Sequence, residues 1–191
     1  LKEQAVAAYK QAISCDDECV EALTSLASLH LEHGELDEVE RHSQRVVEID
    51  PGDATAYMLL GMVAGQRQQF DDALAHMKEA QRLVGSFMPE PHIGAGTLLY
   101  QKGDLDAGHR AFRKAVAVFP GNLEARCGVA AYYRLKKDYD TAVTAYKRIL
   151  DDFVDHPYVL AQVAVSLSDM GNHKNAHEYF VMSTAQSAMR H

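Results

Sequence analysis

The chain has 191 residues, of which 47% are hydrophobic and 24% charged, with a formal net charge of −8. This is a globular composition, and no apolar run is long enough to cross a bilayer as a helix. Residues 1–95 carry a net charge of −10 and residues 96–191 one of +2, so neither half has the basic stripe that binding to a nucleic-acid backbone requires.

The first element is a helix from Leu1 to about Cys15, with Ala5 and Tyr9 on one face. From Val20 onward the pattern recurs every 34 residues, giving units Val20–Asp53, Ala54–Phe87, Pro89–Asn122, Leu123–His156 and Pro157–Arg190, with Met88 a single insertion and residues 1–19 a half unit. One position in phase reads Ala27, Gly61, Gly96, Ala130 and Ala164, small where two helices of a hairpin must cross. Another reads Ala5, Val39, Ala73, Gly108, Ala142 and Ala176. Four residues further on come Tyr9, Met77, Phe112, Tyr146 and Phe180, with Ser43 the exception, so a small and a large residue share one helical face. Each unit is divided by a turn: His33-Gly34-Glu35, Lys102-Gly103-Asp104, Lys137-Asp138-Tyr139 and Met170-Gly171-Asn172. Glycine there supplies a left-handed residue that ends the first helix, and the acid after it can cap the second. Asp50-Pro51-Gly52 and Phe119-Pro120-Gly121 stop the second helix. Each unit is therefore two helices that cannot bury their apolar faces alone, and copies must stack.

These residues resemble the tetratricopeptide repeat family along nearly the whole chain. The resemblance implies an all-α fold, a right-handed superhelical solenoid of antiparallel helix pairs, forming a single array from 1 to 191. Departures are local: Gln68 and Lys137 replace the turn glycine, Gly85 and Val154 the terminal proline, and His92 and Arg126 a large apolar residue of the first helix. Because the sequence opens inside a repeat, and Val181, Met182, Ala185 and Met189 still lack a neighbour, a longer array is expected.

Candidate chemistry is thin. Cys15, Cys19, His30 and His33 have the look of zinc ligands, but Cys19 and His30 stand eleven residues apart on one helix, about 16 Å at 1.5 Å per residue. His173 and His177 lack a third ligand, and Gly94-Ala95-Gly96 falls inside a helix rather than in a phosphate loop. No nucleophile has a base and an orienting group beside it in the pattern. Neither an enzyme, a cofactor nor a metal is expected. The three cysteines, Cys15, Cys19 and Cys127, suit a reducing compartment, so a cytoplasmic protein is expected, with a bacterial periplasm or envelope left open. Nothing reads as a targeting peptide.

In the tetratricopeptide family the first helices line a concave groove. Carried onto this chain, that floor consists of Glu21, Thr24, Ser28, Met58, Met62, Glu90, Ile93, Thr97, Tyr100, Glu124, Cys127, Ala131, Arg134 and Leu135. The lysines and asparagines with which co-chaperones of the family grip acidic tails are missing, as are the asparagine ladders of its peptide readers. What remains is weakly apolar with a glutamate rim, and Gly94, Gly128 and Ala131 are expected to leave room for close approach. Arg134, the lone groove cation, is expected to pair with Glu124 or Glu90. The reading is a non-catalytic scaffold holding a helical or extended, basic segment of another protein, without nucleic acid or membrane insertion. Two alternatives stay open: a structural subunit that self-associates through uncapped ends, as in secretion or envelope assemblies, and the regulatory arm of a larger enzyme.

Overall fold

The computed structural model describes residues 2–85 and 87–189. Among them are eleven α-helices and no strand, and the helices fall into two compact units, Leu1–Lys102 and Gly103–His191. The first unit holds α1 (Lys2–Cys15), α2 (Val20–His33), α3 (Leu36–Ile49), α4 (Ala54–Gln66), α5 (Phe70–Val84) and α6 (Glu90–Lys102). The second holds α7 (Leu105–Val118), α8 (Leu123–Leu135), α9 (Tyr139–Asp152), α10 (Pro157–Asp169) and α11 (His173–Ala188). Within each unit every helix packs on the next, and in the first unit α4 also touches both α2 and α6. Short connections force neighbours antiparallel, so each unit is built of the helical hairpins that the repeat pattern implies. The expected third repeat is divided by the unit boundary, its helix α6 lying in the first unit and α7 in the second.

The turns take the chemistry their residues offer. Gly34 adopts φ 74° and its N–H closes back on the end of α2, a conformation that costs a side-chain-bearing residue roughly 1–2 kcal/mol. Gln68 and Lys137, which stand in for glycine, nevertheless adopt φ 62° and 63°. The hairpin geometry overrides local preference there. Asp104, Asp138 and Asn172 each accept a hydrogen bond from the backbone three residues on, capping α7, α9 and α11. Asp53 and Asn122 cap α4 and α8 in the same way. Glu35 occupies the corresponding place before α3 and makes no such bond.

The core follows the small-then-large register. In the first unit Ala27, Val39, Leu59 and Val63 form one cluster, and Leu23, Val46 and Ala56 a second that takes in Ile13 of α1. In the second unit Cys127, Tyr146, Ile149, Val159, Val163 and Leu167 pack together. Met77, Phe112 and Tyr146, the bulky members of the register, are all buried, whereas Phe180 on α11 is 41% exposed. Arg126, in place of an apolar residue, is accommodated by laying its guanidinium 5.6 Å from the Phe153 ring centre and pairing with Asp152 at 2.6 Å. That is a snorkelling solution: the stem packs while the charge reaches water.

Candidate partner-binding face

In the first unit the expected face is carried by α2, α4 and α6. Glu21 and Ser28 on α2, Met62 on α4, and Glu90 and Thr97 on α6 are exposed, while Thr24, Met58 and Tyr100 are half-buried. Met58 and Met62 lie one turn apart, and Met62 keeps 46% of its surface in water. Met58 is thus partly a packing residue and Met62 mainly a surface one. The hydroxyls on this face are turned inward: Ser28 Oγ donates to the Thr24 carbonyl at 2.9 Å and Thr97 Oγ1 to the Ile93 carbonyl at 3.1 Å. Thr24 Oγ1 is buried without a partner among the described residues. The Met62 thioether is exposed on this face, and Glu21 and Glu90 carry carboxylates in the first turns of α2 and α6.

In the second unit α8 carries Glu124, Ala131, Arg134 and Leu135 with some exposure, Leu135 at 39%. Within the second unit Arg134 pairs with Asp169 and not with Glu124, one of the glutamates expected of it. Its Nη1 lies 3.5 Å from Asp169 Oδ2 on α10, a residue one repeat further along on the same kind of helix.

Two of the expected floor residues belong to the interior. Ile93 is 5% and Cys127 3% exposed, and Cys127 sits in the core of the second unit, where burial pushes its thiol up to about 12. Neither offers a surface to a partner. The glycines are also not openings. A Cβ on Gly94 would meet Met77 Sδ at 2.8 Å, and one on Gly128 would overlap the Phe112 ring. The space left by these glycines is already filled from α5 and α7.

A feature not anticipated from the pattern is an open cleft of about 730 Å³ on the second unit, bounded by α7, α8 and α9. Its lining includes the apolar Val116, Val129 and Ile149 and the charged Arg113, Arg148 and Asp140. Its lining comes largely from second helices, which the family pattern places away from the groove. On two of the same helices, Tyr132 donates to Asp106 Oδ1 at 2.7 Å and its ring lies tilted by 30° against His109, centres 4.1 Å apart. Burial and the charge of Arg113 hold the His109 imidazole below its ordinary pKa, with Asp106 opposing.

Paired helices of 13 to 16 residues, small residues at their crossings and a partly apolar face on the first helices define a helical-repeat protein. The sequence profile of the tetratricopeptide repeat family matches residues 2–54 and 93–157, and the chain belongs to that family. Tetratricopeptide repeat protein 8 of Caenorhabditis elegans is 22% identical over 145 residues, which cover 75% of this chain and 29% of that protein. Human Protein O-mannosyl-transferase TMTC1 is 24% identical over 151 residues, covering 78% of this chain and 17% of that one. Among solved structures, a chain of the APC/C hetero-tetramer Cut9-Hcn1 aligns with a TM-score of 0.85 at 14% identity, over 98% of this chain and 37% of that chain. The chain therefore spans less than a third of the curated relatives named here. The alignment with the solved structure shows the shared all-α repeat fold. No helix among the described residues is long and apolar enough to cross a membrane.

Proposed function

We propose that this chain is a non-catalytic protein-interaction module, and that the first-helix face of its first unit, centred on Met58 and Met62, holds a segment of a partner protein. The observation that carries this reading is the exposure of Met62 beside the half-buried Met58, on a face where the hydroxyls of Ser28 and Thr97 are spent on their own helices. Such a face offers apolar, deformable contact rather than a hydrogen-bond ladder, which suits the side chains of a helix or an extended apolar segment. Glu21 and Glu90 favour a basic segment, and the net charge of −10 on residues 1–95 acts in the same direction. Family membership supports the interaction role in general terms.

The test is a selection of peptides from a displayed random library on the immobilised chain, followed by titration of the best binder. The expected binder carries apolar residues at helical spacing with lysine or arginine between them, and Met58→Glu with Met62→Glu weakens it more than tenfold, about 1.4 kcal/mol. Binders that are acidic, or that bind the double variant equally well, would contradict the proposal.

A second reading is favoured by α11, where Phe180, Val181 and Met182 are 41%, 52% and 43% exposed. Exposed apolar side chains on an end helix offer a surface for association, so copies of the chain would assemble through α11. Sedimentation equilibrium distinguishes the two, since the second reading requires a dimer that Val181→Glu dissolves.

A further inference from the structure

The α2–α3 hairpin brings together four side chains that the sequence separates by the Gly34 turn. His30, near the end of α2, stacks on His42 of α3 with ring centres 5.7 Å apart and planes 11° from parallel. His42 Nε2 lies 3.6 Å from Glu38 Oε2 one turn earlier on α3. One donor atom from each of His30, Glu38 and His42 falls within 4.8 Å of the other two. Both imidazoles are interior, their side chains 9% and 8% exposed.

Two further observations distinguish this cluster from a chance meeting of polar groups. Glu35 holds the place at which Asp104, Asp138 and Asn172 cap their helices, yet its carboxylate is directed to His30 Nδ1 and no side-chain cap is made. A carboxylate only accepts, so Nδ1 carries a proton, and in the neutral imidazole Nε2 is the nitrogen that offers a lone pair. That Nε2 is buried with no hydrogen-bond partner among the described residues. Buried polar atoms are nearly always satisfied, and an orphan with a free lone pair, oriented by a carboxylate on its other nitrogen, is the arrangement a metal-ligating histidine shows.

We propose that His30, Glu38 and His42 form a site for a divalent transition-metal ion of the zinc class, with Glu35 as the positioning residue for His30. Two imidazoles and one carboxylate suit zinc and its neighbours rather than magnesium or calcium, which take oxygen ligands. Bonds of about 2.0–2.2 Å place tetrahedral donors roughly 3.3 Å apart. The His42–Glu38 separation of 3.6 Å is already close to that, and the His30 donor, within 4.8 Å of both, has to close in by up to about 1.5 Å when an ion binds. Glu38, 43% exposed, marks the solvent side, where water completes the shell. Arg41 now occupies that side, its guanidinium on Glu38 and 3.3 Å from His42 Nε2, and being 66% exposed it can swing into water when an ion enters. A bound ion would staple α2 to α3 and stiffen the first unit, whichever partner that unit holds.

The test uses the whole chain, freed of metal by dialysis against a chelator. It is titrated with Zn²⁺ by calorimetry and with Co²⁺ by visible absorption. One saturable equivalent with tetrahedral Co²⁺ bands is expected. Glu38→Gln weakens binding tenfold or more, Glu35→Gln weakens it by about 10–100-fold, and Arg41→Ala tightens it. These three changes are at partly exposed positions and leave the interior intact. His42→Gln, checked for folding by circular dichroism, abolishes the Co²⁺ bands. Absence of saturable binding overturns the proposal, as does binding that Glu38→Gln and Arg41→Ala leave unchanged, which would move the ion to surface histidines such as His173 and His177.

Discussion

Replacing Gly128 with alanine tests the packing between α7 and α8 against simple helix propensity. In an open helix the change gains about 1 kcal/mol. Here the new Cβ would overlap Cδ1, Cε1 and Cγ of Phe112, a ring that is only 4% exposed and has no solvent to retreat into. Overpacking of this kind costs about 1–3 kcal/mol, and a three-atom overlap belongs at the upper end, leaving a net loss of about 1–2 kcal/mol. Gly94→Ala is the matched control. Its Cβ meets Sδ and Cε of Met77, the flexible end of an unbranched side chain that can re-orient. Its net effect is therefore between zero and a gain of about 1 kcal/mol. Urea unfolding followed by circular dichroism measures both. With a slope of about 2 kcal/mol/M, Gly128→Ala lowers the midpoint by roughly 0.5–1 M. A Gly128→Ala protein as stable as the parent, or a Gly94→Ala protein equally damaged, would refute the assignment of these glycines to packing.

Three further outcomes follow from particular residues. Gln68→Gly and Lys137→Gly relieve left-handed strain of about 1–2 kcal/mol against an entropic penalty of about 0.5–1 kcal/mol, so each raises stability by roughly 0.5–1 kcal/mol; a decrease in melting temperature would contradict this. Cys127 stays unmodified by a thiol reagent at pH 8 until the chain unfolds, whereas exposed Cys15 reacts at once; prompt reaction of Cys127 would return it to the surface. The lowered pKa of His109 means that the unfolded chain binds more protons near and below pH 6.5. Its contribution is therefore complete above that value and lost as pH falls through the depressed folded pKa. His109→Phe flattens part of the acid limb of a melting-temperature profile, and an unchanged limb would remove His109 from the account.

The helical hairpins were legible because close crossing forces small residues, and Ala27, Ala73, Ala130 and Ala164 read out that constraint directly, each at most 1% exposed. The glycine turns at Gly34, Gly103 and Gly171 were legible from residue type, whereas Gln68 and Lys137 were read as departures and nevertheless keep positive φ. The face was only partly so. Periodicity assigns a residue to a side of its helix but does not say how long a side chain arrives from the next one, so Met77 and Phe112 filling the slots at Gly94 and Gly128 went unseen. Ile93 and Cys127 were placed by family register, although their apolar character already pointed inward. Arg134 was matched with glutamates on the rim, whereas Asp169 on α10 lies within its reach. His30 was weighed only against Cys15, Cys19 and His33, its neighbours along the chain. Its meeting with His42 needed the hairpin register across Gly34, a relation between helices that spacing within one helix does not contain.

The central claim, that a partner rests on the first-helix face of the first unit, is tested most directly by the methyl spectrum of the protein labelled at its seven methionines. Adding the selected basic peptide is predicted to shift the Met58 and Met62 signals and to leave Met170, Met182 and Met189 in place. Shifts confined to Met182 and Met189, with Met58 and Met62 unmoved, would contradict it.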